Sequence, residues 1–144
     1  MSNKPFEIKG LDAMDRKMID IVTKQYPKEA NRQLRKLSTM TLRLARQNTN
    51  KLTGVVTGNL KKGWSKGRVT KSKKTDSLYI QVRNKAPHAH LLEKGHNITK
   101  VKSGPVFGFV PGRKMLANAI KTMESKFPAE MRKWMDKLFK EWKP

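Results

Sequence analysis

The middle of this chain is almost purely cationic, and this limits how the chain can fold. Between Glu29 and Glu124 the sequence holds twenty-one Lys and Arg residues but only two acidic residues, Asp76 and Glu93. Most of the formal net charge of +22 therefore falls in this stretch. Because like charges repel one another in a compact state, the fold must present these side chains to solvent or to an anionic partner. A phosphate backbone, an acidic membrane and an acidic protein neighbour are the candidates, and composition does not choose among them.

The length of 144 residues provides for one domain with a modest core, and we expect a single domain over residues 1–144 with a flexible tail at residues 1–10. Cysteine is absent, which excludes disulfides and thiolate metal sites and suits a reducing cytoplasm. The first residues lack the apolar core of a signal peptide, and no run of about 18 apolar residues occurs. We therefore expect neither signal-dependent secretion nor a membrane span.

Hydrophobic spacing predicts helices near both ends of the chain. Apolar residues recur three and four positions apart before Pro27 and again over residues 28–47, so residues 11–47 are expected to be helical. Helical spacing returns over residues 112–142, where Pro128 predicts a kink because proline removes a helix hydrogen bond and clashes one turn back. A stripe of apolar side chains in this last segment is expected to serve as core or subunit interface. It comprises Trp134, Met135, Leu138 and Trp142.

The segment between the helices is predicted to form a small antiparallel sheet of about four strands over residues 57–110. The clearest strand covers residues 77–83, where Leu78, Ile80 and Val82 alternate with more polar side chains. Further features are a turn at 48–58, strands at 64–70, 89–94 and 106–110, a basic hairpin tip at 71–75 and a flexible loop at 96–105. Helices that flank a small antiparallel sheet define an α+β fold.

All three histidines, His88, His90 and His96, fall within nine residues and lie close to Glu93 in the sequence. Such a group suggests a metal site. On a strand, however, Glu93 would point away from His88 and His90, so we predict no metal site. We expect Glu93 to form an ion pair or to cap backbone amides. No nucleotide-binding fingerprint and no catalytic triad order occurs, so the sequence predicts neither an enzyme nor a cofactor.

Seven cations between residues 61 and 74 have the density of a surface that binds a phosphate backbone. We call them the basic tract: Lys61, Lys62, Lys66, Arg68, Lys71, Lys73 and Lys74. Trp64 is the only aromatic residue interleaved with them, which gives little support for stacking on single-stranded bases. Any contact with nucleic acid is therefore expected to be independent of base sequence and to weaken with salt.

Three short segments, in this order, resemble a family of small neck and tail-completion proteins of long-tailed bacteriophages. They are VTGNLKKGW at residues 56–64, APHAHLLEKGH at 86–96 and GFVPGRKMLANA at 108–119. The residues that carry the likeness are Thr57, Gly58, Leu60, Glu93, Gly95 and Pro111. His88 departs from the pattern, because Tyr or Phe is commoner there. With the leading helix, the likeness extends from about residue 28 to the C-terminus.

The resemblance implies a non-enzymatic structural protein of the virion neck or tail, present in the host cytoplasm during assembly. It would act in tail completion or head-to-tail joining, on either side of the junction, as a ring of six or twelve copies around the DNA channel. The implied partners are other copies of the chain, neighbouring connector and tail-tube or tail-terminator proteins, and DNA without sequence specificity. No membrane partner is implied.

Two explanations of the basic tract stay open within this resemblance. The tract lines the channel close to DNA, or it docks onto an acidic face of the neighbouring ring and becomes ordered there. Tight phosphate binding would hinder a genome that has to slide, so docking with weak DNA proximity is favoured. The alternative function is a sequence-independent nucleic-acid-binding protein, and a metal-dependent nuclease is a distant third.

Overall fold

The computed structural model of the chain describes residues 13–53 and 58–141, and helices and short strands alternate along them. The helices are α1 (Ala13–Gln25), α2 (Pro27–Thr53), α3 (Asn59–Lys62), α4 (Ala89–Lys94) and α5 (Met115–Glu141). The strands are β1 (Trp64–Lys66), β2 (Thr70–Lys71), β3 (Leu78–Tyr79), β4 (Val82–Asn84), β5 (Gly95–Thr99) and β6 (Val106–Pro111). The α+β class is confirmed. The tail expected at residues 1–10 lies outside the described residues.

The two long helices, α2 and α5, pack against each other and carry most of the core. On α5 the buried side chains recur every three or four positions, as the helical period requires. They are Met115, Ala119, Met123, Phe127, Met131, Trp134 and Met135. One core cluster joins the C-terminal part of this stripe to α1 and α2, and a second joins its N-terminal part to α2 and β1. None of the helices in the described part of the chain has the length and apolar character that a membrane span requires.

The C-terminal helix runs through Pro128 as one element. Burial of Phe127 and Met131 on either side of the proline helps to offset the lost hydrogen bond. In the stripe predicted as core or interface, Trp134 and Met135 are buried and Leu138 packs against them half-buried. Trp142 lies outside the described residues.

The sheet prediction is wrong in its strand arrangement. In place of one sheet of four strands, the described residues form three antiparallel pairs, β1 with β4, β2 with β3 and β5 with β6. The first two pairs continue each other, because the amide of Gly67 donates to the carbonyl of Gln81 at 2.8 Å between them. We call residues 64–84 the basic hairpin. The third pair is separate, and its register changes at Ile98 and Thr99.

The strand predicted at residues 89–94 is a helix instead. Residues 89–94 form α4, which buries Ala89 and packs Leu92 against the second core cluster. Over only six residues the two periodicities are hard to distinguish, and the high helix propensity of Ala, Leu, Glu and Lys decides in favour of a helix. Because this segment supplies no strand, nothing connects the basic hairpin to the β5–β6 pair in one sheet.

Two loop predictions are also wrong in part. Residues 48–53 are predicted to form part of a turn but continue α2 instead. Tertiary hydrogen bonds hold Asn48 to the start of α5 and Thr49 to Trp64. The polar segment 96–105 forms strand β5 over its first residues, since these pair with the apolar strand predicted at 106–110. At its end, the amide of Gly104 donates to the carbonyl of Val101 at 3.0 Å and closes a turn. The prediction of a single domain stays a prediction.

Candidate functional site

Acidic and basic side chains are separated across the structure. Seven of the described acids lie on α1, on the first turn of α2 or on α5: Asp15, Asp20, Glu29, Glu124, Glu130, Asp136 and Glu141. Between Glu29 and Glu124, the only acids in the described residues are Asp76 and Glu93. The long helices therefore neutralise part of their own charge, for example through Lys36 and Glu130 at 3.2 Å, while the basic hairpin has one acid, Asp76, to offset its cations.

All seven residues of the basic tract are exposed. Lys61 and Lys62 lie on α3, the next cations follow along the first strand of the basic hairpin, and Lys73 and Lys74 lie in the turn at its tip. The amide of Ser72 donates to the carbonyl of Ser77 at 2.8 Å and closes that turn. The tract is therefore extended along α3 and the basic hairpin and does not form a single compact cluster.

Two cations of the tract are engaged within the fold. The Lys66 ammonium donates to the Thr39 hydroxyl at 2.5 Å, and the Lys71 ammonium lies 2.8 Å from the Asp76 carboxylate. The Lys71 hydrogen bond and charge lower the pKa of Asp76 below its usual value. Five cations of the tract are thus best placed for a partner: Lys61, Lys62, Arg68, Lys73 and Lys74.

Helix α2 extends this charged surface, which sequence reasoning on the tract alone did not detect. Arg35, Thr39, Arg43 and Arg46 are spaced by four, four and three positions and therefore lie along one stripe of the helix. The stripe is fixed to the hairpin at two points, by Lys66 on Thr39 and by the Arg46 guanidinium, which donates to the carbonyl of Trp64 at 3.3 Å. We call the basic tract together with the exposed Arg35 and Arg43 the basic surface.

A buried tryptophan anchors the base of the basic hairpin. Trp64 is 3% exposed and packs with Leu42, Ala45 and Met115 in the second core cluster. Its indole N–H donates to the Thr49 hydroxyl at 2.7 Å, and this hydroxyl donates to the carbonyl of Ala45 at 2.8 Å. Since the indole N–H and the Thr49 hydroxyl both have hydrogen-bond partners, the anchor combines apolar burial with satisfied polar groups. The hairpin therefore starts from a fixed position on α2 and α5.

Glu93 caps the N-terminus of α5. Its carboxylate accepts the amide of Leu116 at 3.0 and 3.1 Å and the amide of Ala117 at 2.9 Å. The amides at a helix N-terminus have no partner within the helix, and the helix dipole favours a negative charge there. Of the two expectations for this residue, an ion pair or a cap for backbone amides, the structure supports the cap.

Replacement of Glu93 by alanine is expected to lower the free energy of unfolding by about 1–2 kcal/mol, because at least two amides at the start of α5 lose their acceptor. Glu93→Gln serves as the control, since its amide oxygen still accepts and a loss of less than half that size is expected. Urea titration followed by circular dichroism measures both variants. Equal losses in the two variants would contradict the capping role of the hydrogen bonds.

The other residues of the family-like segments lie at turns and strand ends. Gly58 precedes α3 with φ at +72°, and Leu60 packs half-buried against the second core cluster. Gly95 ends α4 with φ at +83° and pairs with Pro111 across the β5–β6 ladder. Thr57 lies outside the described residues.

The histidines do not come together around an ion. His90 is exposed on α4, His96 is half-buried on β5, and the Glu93 carboxylate between them is turned toward α5. Across residues 13–53 and 58–141, no group of three or more His, Asp or Glu side chains is arranged to hold a metal.

Comparison with known proteins finds a family model that matches the chain. The model of a family described as "Bacteriophage HK97-gp10, putative tail-component" matches residues 12–95, which is more than half of the chain. The match begins earlier than the likeness expected from about residue 28, and it ends before the third family-like segment. It contains the basic hairpin, α4 and the Glu93–Gly95 turn. No curated protein and no solved structure matches the chain significantly. The chain belongs to the HK97-gp10-like family of bacteriophage tail components.

Proposed function

We propose that this protein is a structural subunit of the phage neck, acting in tail completion or head-to-tail joining. Several copies would form a ring around the DNA channel, with neighbouring connector and tail-tube or tail-terminator proteins above and below. The observation that carries the proposal is the family match across the basic hairpin and α4, the part of the chain with the largest exposed charge. In this role the protein turns over no substrate.

The separation of charge suits a subunit that meets different neighbours on different sides. The long helices carry both signs of charge and offset part of it within the subunit, as in the pair between Arg132 and Asp15 at 3.3 Å. The basic surface needs an anionic counterpart, because Asp76 is the one acid among the described residues that pairs with it. An acidic face of the adjacent ring meets this need without holding the genome, and DNA then passes nearby with only weak contacts.

The alternative, a sequence-independent nucleic-acid-binding protein, is favoured by one observation. The five cations of the tract that remain available are exposed and follow one another along α3 and the basic hairpin, as they would along a phosphate backbone. If all five bound phosphates of duplex DNA, the log–log dependence of the binding constant on salt would have a slope of about −4.5. Function in a neck requires much weaker binding at about 0.15 M salt.

A phage lacking this protein is expected to accumulate heads and tails that fail to join, with infectious yield near background. Electron microscopy and plaque counts measure this result, and complementation by the intact chain is the control. The protein is also expected to co-purify with mature particles. Full infectious yield from the deletion would contradict the proposal.

Titration of duplex DNA against the purified chain at rising salt separates the two functions. We expect negligible binding at about 0.15 M salt and a loss of particle assembly in the double variant Lys73→Glu, Lys74→Glu. Lys121→Glu with Lys126→Glu, on α5 outside the basic surface, makes the same change in net charge and is expected to assemble normally. Tight binding of the monomer to DNA with a steep salt dependence would favour the alternative.

A further inference from the structure

The β5–β6 pair forms a hairpin whose outer part is apolar and open to solvent. We call residues 95–111 the apolar hairpin. Its exposed large side chains, with their exposed fractions, are Ile98 (47%), Val101 (63%), Val106 (57%), Phe107 (60%) and Phe109 (58%). These five are half of all large exposed hydrophobic side chains in the described residues. Such a concentration in one short element marks an interaction site, whereas scattered exposed hydrophobics would need no explanation.

The apolar hairpin also makes few contacts with the rest of the fold. In the described part of the chain, β6 packs substantially against β5 alone, and β5 against β6 and α4. An isolated two-stranded hairpin is marginally stable in water, and strands at both of its edges leave backbone groups unpaired. The base of the hairpin is nevertheless fixed, because Gly95 and Gly112 approach each other closely beside the capped start of α5. The hairpin is therefore a projecting element with a rigid base.

The charges around this apolar end are of one sign. Lys100 lies over the Phe107 ring at 5.2 Å from its centroid, and Lys102 follows it in the turn of the hairpin. Lys94, Arg113 and Lys114 flank the base of the hairpin, and all five cations are exposed. The nearest acid in the sequence, Glu93, is occupied by the amides of α5. A second copy of the hairpin would bring the same cations into contact, which opposes pairing between copies.

We propose that the apolar hairpin docks into an apolar groove rimmed by carboxylates on a different protein of the virion neck. This inference rests on the proposed function. The apolar side chains would fill the groove, and Lys100 and Lys102 would contact its acidic rim. The charges would then attract and align the two proteins, while burial of the apolar side chains would stabilise the complex. Stacking on single-stranded bases would use the two phenylalanines but gain little from Ile98, Val101 and Val106, which favours a protein partner.

The test is photo-crosslinking in complete particles with benzoylphenylalanine placed at position 107. We expect a covalent adduct with one other virion protein, at a peptide that contains apolar residues and Asp or Glu. The same analogue at position 139, an exposed phenylalanine position on α5, is the matched control and is expected not to reach that peptide. An adduct with a second copy of this chain, with DNA or with lipid, or no adduct in particles that contain the protein, overturns the inference.

A pair of variants tests the same surface without a crosslinker. Phe107→Ser with Phe109→Ser is expected to reduce incorporation into particles at least tenfold while leaving the melting temperature of the purified chain nearly unchanged, because both rings are already exposed. Phe139→Ser is expected to be incorporated normally. Normal incorporation of the hairpin variant overturns the inference, and so does a loss of oligonucleotide or anionic-vesicle binding by that variant. Absence of the unmodified chain from particles would instead overturn the proposed function itself.

Discussion

Replacement of Trp64 by alanine is expected to lower the free energy of unfolding by about 3–5 kcal/mol, a large fraction of the total stability of a domain of this size. The indole is 3% exposed and packs between α2 and the start of α5. Its loss leaves a cavity and also removes the hydrogen bond to Thr49 at 2.7 Å. Thermal unfolding followed by circular dichroism should show a midpoint lower by roughly 10 °C or more.

Two further variants separate the contributions at this site. Trp64→Phe keeps most of the apolar burial but removes the indole N–H, so a smaller loss of about 1–2 kcal/mol is expected. Tyr79→Ala, a half-exposed aromatic of the same hairpin, is expected to change stability by no more than about 0.5 kcal/mol. If Trp64→Ala and Tyr79→Ala had similar effects, the basic hairpin would not be anchored through Trp64.

The anchor has a functional consequence as well as a thermodynamic one. Because Trp64 is the first residue of β1, it sets where the rest of the basic hairpin leaves the helices. Lys66 and Arg46 add polar contacts on both sides of that point. Hydrogen exchange in the hairpin should therefore rise in Trp64→Ala under conditions where α1 is still protected. The cations would then lose their fixed arrangement before the helical part unfolds.

The long helices could be predicted from the sequence because their apolar periods extend over many turns. On α5 the same three-and-four spacing that predicted the helix also selects its buried side chains, including Trp134 and Met135. The distribution of charge along the chain was equally predictable, since the order of the charged residues fixes it. In both cases the signal is local or additive, so no knowledge of tertiary contacts is needed.

The middle of the chain could not be predicted to the same extent, because tertiary contacts decide its structure. Asn48 and Thr49 are typical turn residues, yet hydrogen bonds to Met115 and Trp64 hold them within α2. Residues 89–94 are too few for either period to dominate. Arg35 and Arg43 lie beside the basic tract because Lys66 of the hairpin donates to Thr39 on α2. The spacing of residues within either segment does not reveal this contact.

The role of Glu93 shows how a partial prediction arises. The sequence indicated that a lone acid among many cations would be engaged locally, and a cap for backbone amides was one of two expectations. Which helix it caps depends on the turn from α4 through Gly95 and on the return of β6 to α5. The partner amides at Leu116 and Ala117 are more than twenty positions away in the sequence, so only the fold identifies them.

Replacement of Gly95 by alanine is expected to lower the free energy of unfolding by about 3 kcal/mol or more. The residue has φ at +83° and ψ at 172°, a conformation that is essentially restricted to glycine. An added Cβ would also meet the carbonyl oxygen of Val110 and would lie 2.8 Å from the amide nitrogen of Gly112. These are main-chain atoms, which cannot move aside as the end of a flexible side chain does, so backbone strain adds to the steric overlap.

Gly67→Ala is the matched control within the same chain. Its added Cβ would lie 3.8 Å from the carbonyl oxygen of Gln81, which is ordinary van der Waals contact, so a change within about 0.5 kcal/mol is expected. In Gly95→Ala, the added Cβ can escape its overlap with the main chain only if α4 moves away from the base of the apolar hairpin. Glu93 lies two positions before residue 95, so this movement would also shift its carboxylate away from α5. Hydrogen exchange at the amides of Leu116 and Ala117 should therefore accelerate in Gly95→Ala and stay unchanged in Gly67→Ala. Unchanged exchange in both variants would mean that the α5 cap does not depend on the Gly95 turn.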